Sequence, residues 1–269
     1  MTQTSRQSRP APATPGAFIL PALDKRVYGR DALARAVADR LRDPSCRLLT
    51  LTGPGGVGKT TLARLAIEAI PGAAFVPLAA VRDAARIPDA AARALGLPES
   101  ADPISQLAER AGKAPLLLVL DNLEQLPGAV EPIGQVLAAS DQVTILATSR
   151  TPLGLEGEEI ERVEPFGDVS PAAALATLWA NPGARLYVDR ARRAGAAIER
   201  NGANARAIAE ICRHLGGLPL AIELAASRSR VFSPPELRDR LDRSLDLLVN
   251  RDAEEPDRLR TMRRAIDWS

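Results

Sequence analysis

The chain has 269 residues, enough for one large domain or two modest ones. Hydrophobic residues at 46% can build a core, but aromatics at 3% leave it to Leu, Ala, Val and Ile. A net charge of +2 argues against bulk nucleic-acid binding, and no apolar run reaches the length of a membrane span. Cys46 and Cys212 have no metal or redox spacing; they read as small buried hydrophobes in a reducing, cytoplasmic setting.

Residues 1–24 are rich in Pro, Ala, Ser and Thr, lack a signal-peptide core, and predict a disordered lead-in. Asp31 is expected to cap a helix over 32–41. The apolar run RLLTLT, Arg47 to Thr52, predicts a buried strand, followed by the glycine-rich GPGGVGKTT over 53–61 and a helix over 61–70. AAFVPL over 73–78 predicts a second strand, with short helices over 87–95 and 104–111. PLLLVLDN is a third strand, apolar on both faces as a covered parallel strand is. A helix over 129–139 leads to a fourth strand, VTILATSR, and EIERVEP is a weaker fifth. Strand signals stop at Val169. Helices are then expected over 171–179, 184–194, 203–215, 218–226 and 235–248.

The alternation of strands and helices predicts an α/β fold followed by a small helical domain; the GPGGVGKTT segment resembles the loop of P-loop NTPases, and that resemblance implies a parallel sheet in the ASCE order 5-1-4-3-2. The expected boundaries are 25–168 for the nucleotide-binding domain and 169–250 for the helical one. Residues 251–269 carry Leu259, Met262 and Ile266 as an apolar helical stripe that either packs back on the helical domain or, the favoured reading, marks a fragment of something longer.

Residues 53–61 carry the most chemistry. Strand, glycine-rich turn and helix start are the context in which a phosphate-binding loop works. Gly53, Gly55, Gly56 and Gly58 let the backbone approach a ligand, and successive N–H groups through Val57 form an anion nest at a helix N-terminus. Lys59 would reach the β- and γ-phosphates, Thr60 would offer its hydroxyl to Mg²⁺, and Thr61 would lie near the α-phosphate.

Asp121 ends an all-apolar strand, where a carboxylate needs a cation; Mg²⁺ held with a nucleotide supplies one. Asn122 follows where a second acid would polarise the attacking water, and its amide has no basic oxygen. Glu124 is an alternative acid whose reach the sequence leaves open. Slow hydrolysis is the expectation. Arg150, after Thr148 and Ser149, can read a γ-phosphate from the strand beside Asp121. By residue chemistry alone GGLPLAIELAA, Gly216 to Ala226, is a helix–helix corner. His214 reads as a surface or packing residue, and Arg190, Arg192, Arg193 and Arg200 as a solvated basic stretch.

Together these segments resemble the nucleotide-binding module of the STAND class of signalling ATPases, the NB-ARC type, over about Leu20 to Ser269. That module occurs in plant disease-resistance proteins, apoptosome scaffolds and bacterial transcriptional regulators. LPALDKRVYGRD resembles the family's entry motif, which implies that Val27, Tyr28 and Arg30 hold adenine, although Asp31 stands where Glu is commoner. GPGGVGKTT and LLLVLDN resemble the Walker A and Walker B motifs. ATSR resembles sensor 1 with Arg150 at the γ-phosphate, and GLPL, Gly217 to Leu220, implies that Pro219 packs on the base. TMRRAIDWS resembles the first helix of a winged-helix domain, cut off here, which in the family supplies a histidine to the β-phosphate of ADP.

The resemblance implies ATP/ADP and Mg²⁺ as ligands and a slow switch with Lys59, Asp121 and Arg150 as its catalytic groups. It also implies nucleotide-dependent self-association, without direct nucleic-acid or membrane contact by this chain. The rivals are an actively hydrolysing AAA-like remodelling ATPase or nucleotide kinase, a direct DNA-binding regulator and a non-switching scaffold. A translation-type GTPase lacks support, since no NKxD base-reading motif is present.

Overall fold

The computed structural model describes residues 26–248 apart from residue 69, with side chains as far as Leu241. The expected lead-in over 1–24 and the winged-helix start over 251–269 lie outside the described residues.

Five strands form one parallel sheet: β1 (Leu48–Thr52), β2 (Ala74–Pro77), β3 (Leu116–Asp121), β4 (Val143–Ser149) and β5 (Glu158–Arg162). Their spatial order is β2-β3-β4-β1-β5, the expected order read from the other edge. The apolar runs follow from double burial. Leu49, Leu51, Leu117, Val119 and Leu146 point to one face, where α1 (Asp31–Arg42) and α2 (Lys59–Ile67) pack. Leu48, Leu116, Leu118, Leu120 and Ile145 point to the other, beneath α3 (Ile87–Ala94), α4 (Pro103–Lys113) and α5 (Val130–Ala139).

After β5 come α6 (Leu175–Ala180), α7 (Pro182–Arg193), α8 (Gly202–His214), α9 (Pro219–Ser227) and α10 (Pro234–Leu248). Their core is continuous with the α1–α2 face: Tyr187, Ile208, Ile211, Ile222 and Leu237, all fully buried, join Val37, Leu51 and Leu62 in one cluster. Hydrophobic burial therefore fixes the helical half against the sheet. Two close backbone approaches fix it further. Gly217, at φ +64°, takes the Phe166 N–H on its carbonyl at 2.9 Å, with the Phe166 oxygen where a Cβ would stand. On the phosphate loop, the Leu220 N–H donates to Gly56 O at 3.1 Å.

Three local expectations are corrected. Asp31 is the first residue of α1 rather than its cap; Arg30 holds the cap position with no side-chain bond, and the Asp31 charge lies in the first turn, where the helix dipole favours it. The phosphate-loop helix begins at Lys59, because left-handed Gly58 (φ 97°) ends the loop there. The helix expected over 171–179 begins at Leu175, since Ser170 folds its own turn, accepting the Ala173 N–H on its carbonyl and the Ala172 N–H on its hydroxyl.

Candidate functional site

The carboxyl ends of β1, β3 and β4 open on one side of the sheet, where ligands of open α/β sheets bind. A cavity of about 690 Å³ lies there, between the 55–61 loop and the helical half. Gly55, Gly56, Val57, Gly58, Lys59, Thr60 and Thr61 line it from the loop, Val27, Tyr28 and Arg30 from the chain before α1, Arg150 from the end of β4 and Pro219 from the start of α9. Segments far apart in sequence thus meet at one place. Gly53 and Asp121 do not line it, but each accepts a hydrogen bond from a residue that does, Lys59 and Thr60 respectively.

Lys59 Nζ donates to the carbonyls of Gly53 (2.9 Å) and Pro54 (3.2 Å), and only 7% of the residue is exposed. Burial holds its pKa below the usual lysine value; the Glu124 charge opposes that shift, Arg150 adds to it and Asp121 opposes it. A buried ammonium resting on neutral carbonyls suits an anionic ligand.

Thr60 donates its hydroxyl to Asp121 Oδ1 at 2.8 Å, and Thr148 does the same at 2.7 Å. Asp121 Oδ2 takes no hydrogen bond among the described residues. Hard oxygens side by side, one carboxylate oxygen still open, fit a Mg²⁺ ion. No group of three or more acids, histidines or cysteines that could hold a metal occurs among the described residues. Phosphate oxygens and water would have to complete the shell.

Arg30 is 8% exposed and donates to Val57 O (3.1 Å) and Glu164 O (2.7 Å), with its guanidinium 5.0 Å from the Phe166 ring centre. Burial lowers its pKa. It ties the entry segment, the phosphate loop and the segment after β5 together. Arg150 is 56% exposed by side chain, with Nε 3.6 Å from Glu124 Oε1.

Several lining residues escaped sequence reasoning. Leu186 and Arg190 lie one helical turn apart on α7, and Glu223 lies one turn beyond the expected Pro219 on α9, so all face the cavity together. Arg190 is a correction: its side chain is only 10% exposed, and it pairs with Asp189 (2.7 Å) and Glu223 (3.0 Å) rather than with solvent. The i, i+4 spacing of Leu186 and Arg190 on an amphipathic helix was the available signal. Thr148 was noted only as a neighbour of Arg150, yet it accepts the Asn122 N–H at 2.9 Å and so binds β4 to the acidic end of β3. Phe166 gave no sequence signal.

Sheet order, loop and cavity define a P-loop NTPase fold. Residues 49–156 match the family model described as ATPase family associated with various cellular activities (AAA). That family implies nucleotide binding. A Mycobacterium tuberculosis (H37Rv) protein named "Putative HTH-type transcriptional regulator Rv0890c" is 40% identical over 229 residues, 83% of this chain and 25% of that one. "Uncharacterized protein Rv0894" of the same strain is 38% identical over 217 residues, 78% of this chain and 52% of that one. The chain thus spans about a quarter to a half of these relatives. Among solved structures, Cdc6p from Pyrobaculum aerophilum has a TM-score of 0.54 at 20% identity, covering 78% of this chain and 63% of its own. A STAND protein with a tetratricopeptide repeat sensor from Pyrococcus horikoshii has a TM-score of 0.50 at 14% identity, covering 90% and 39%. Both show the fold. Among the described residues, no helix is long and apolar enough to cross a membrane.

Proposed function

We propose that this chain is an ATP/ADP-binding switch module of the STAND, NB-ARC type that hydrolyses ATP slowly and belongs to a cytoplasmic regulator of signalling or transcription. The observation that carries the reading is the joint cavity, with the helical half docked on the phosphate loop through Leu220 and Gly56. Nucleotide bound there touches both halves at once. In this reading residues 25–168 form the nucleotide-binding domain and 169–250 the helical one.

Val27, Tyr28, Arg30 and Pro219 hold the base, the amides of 55–61 and Lys59 hold the phosphates, and Thr60 and Asp121 hold Mg²⁺. Arg150 reports the γ-phosphate. ADP keeps the halves closed; ATP changes the contacts of Arg150 and favours opening and self-association. A full reversal of populations takes about 5.5 kcal/mol of differential affinity. Several charge-assisted bonds to one γ-phosphate are of that order together. The name of the mycobacterial relative supports a regulatory parent.

Identifying the nucleotide released on heating the purified protein tests the reading. ADP supports it. A guanine nucleotide would overturn the assigned base, and steady-state release of many phosphates per second would point to an AAA-like remodelling ATPase instead.

A further inference from the structure

Arg190 on α7 and Glu223 on α9 line the cavity from the helical half, and the phosphate site uses neither. The Arg190 guanidinium is held by a carboxylate at each end: Nη1 lies 2.7 Å from Asp189 Oδ2, and Nη2 lies 3.0 Å from Glu223 Oε1. Its Nε is buried without a partner, and its side chain is 10% exposed against 28% for Glu223. A buried ion cluster of this kind adds little net stability, so the packing of α7 on α9 gives no reason for it. With both ends engaged, Arg190 is not free to swing to an anionic ligand. The group that the cluster presents to the cavity is the Glu223 carboxylate.

A carboxylate in a cavity that takes phosphates has to stand away from them, because like charges repel at short range. Its place on α9 agrees. That helix starts on the phosphate loop, where the Leu220 N–H meets Gly56 O. Glu223 lies three residues farther on, about 4.5 Å along the axis. On α2, Thr60 and Thr61 line the cavity at the phosphate loop and Arg64 lines it one turn on. Beyond its α-phosphate a nucleotide presents the ribose, with two hydroxyls on adjacent carbons. One carboxylate accepts both, the role an acidic residue plays toward ribose in dinucleotide-binding folds. A carboxylate takes about four hydrogen bonds in all, so the one from Arg190 does not fill it.

We propose that Glu223 accepts the 2′- and 3′-hydroxyls of the bound nucleotide, with Arg190 as its positioning residue, so that the cavity selects ribonucleotides over deoxyribonucleotides. This rests on the nucleotide-switch reading above. The sugar is then held by α9 of the helical half while the phosphates are held by the loop before α2, and one ligand bridges the two. Arg190 fixes the direction of the carboxylate before the ligand arrives, which spares the entropy of ordering a long side chain on binding. Arg190 itself touches no part of the nucleotide.

The test is calorimetry of the full chain with Mg²⁺, using ADP, 2′-deoxy-ADP, 2′,3′-dideoxy-ADP and inosine diphosphate on wild type, Glu223→Gln and Arg190→Lys. Wild type should bind ADP at least about tenfold tighter than the dideoxy analogue, with 2′-deoxy-ADP between them, as for lost hydrogen bonds to a charged group. In Glu223→Gln the ratio should fall to about threefold or less while the dideoxy affinity stays within about twofold of wild type. Arg190→Lys should shrink the same ratio and also spare the dideoxy ligand, which a general loosening of the helical half would not do. Equal wild-type affinity for ADP and the dideoxy analogue would overturn this proposal and leave the switch intact. So would a Glu223→Gln variant that weakens both ligands equally. Loss of discrimination against inosine diphosphate, with ribose discrimination kept, would put the carboxylate at the base edge and overturn it too. If wild type bound none of the four, the switch reading itself would fail.

Discussion

Replacing Gly217 with Ala should loosen the helical half from the nucleotide cavity. An Ala Cβ there would stand 2.1 Å from the Phe166 oxygen and 3.1 Å from its carbon and nitrogen, all backbone atoms that cannot swing aside. Holding Ala at φ +64° costs about 1–2 kcal/mol. Moving the segment that carries Phe166 away breaks its N–H bond to Gly217 O, about 1 kcal/mol more, and the collision adds backbone strain. The sum is about 3–5 kcal/mol, within the range of severe single substitutions. For a domain of this size that is roughly 6–20 °C in Tm. Gly157→Ala is the control: φ is +74° but nothing lies within 4 Å, so only the conformational cost of about 1–2 kcal/mol remains. Differential scanning fluorimetry of the two variants isolates the collision. Because Phe166 lines the cavity and lies beneath Arg30, Gly217→Ala should also weaken nucleotide binding. Equal melting temperatures for the two variants would refute the claim that Gly217 clamps the two halves.

Other consequences are as concrete. With nucleotide at a thousandfold excess over Kd, the wild type should gain about 4 kcal/mol, and Lys59→Ala should abolish the corresponding thermal shift; an unchanged shift would contradict the phosphate assignment. Thr148→Val removes the hydroxyl that bonds Asp121 and accepts the Asn122 N–H, so Mg²⁺ dependence of binding should move to about tenfold higher metal, read by titration at fixed nucleotide. Burial pushes the Cys46 thiol up to about 11 and the Cys212 thiol up to about 12, from 9.0. Both should resist alkylation at neutral pH until the protein unfolds. The stability held in their neutral forms is fully present below pH 9.0 and declines as pH rises toward the folded values. Rapid labelling of the native protein would show that one of them is not packed as described.

The sheet was legible because β1, β3 and β4 write their double burial as apolar runs, while β5, partly exposed at the sheet edge, gave a weaker signal; the order 5-1-4-3-2 came from the resemblance to P-loop ATPases and put Asp121 and Arg150 on adjacent strands. The phosphate loop was legible because a short contiguous segment holds both its chemistry and its context. The helical side of the cavity was harder. Leu186, Arg190 and Glu223 reach it only through the packing of α7 on α9, and tertiary contact decides whether an arginine in a basic run is solvated or buried. Phe166 is placed by a backbone bond to Gly217, a partner 51 positions away in sequence (217 − 166), which no local pattern announces. Helix starts erred for a related reason. Arg30 takes the cap position although its guanidinium, donating to Val57 and Glu164, has no acceptor with which to cap the helix.

Isothermal titration calorimetry of the folded chain with ADP and with an ATP analogue, each with Mg²⁺, tests the nucleotide site most directly. The geometry predicts saturable binding of both ligands at one site, lost in Lys59→Ala while the variant keeps its fold. No heat from either ligand with folded wild type, or undiminished binding in Lys59→Ala, would contradict it.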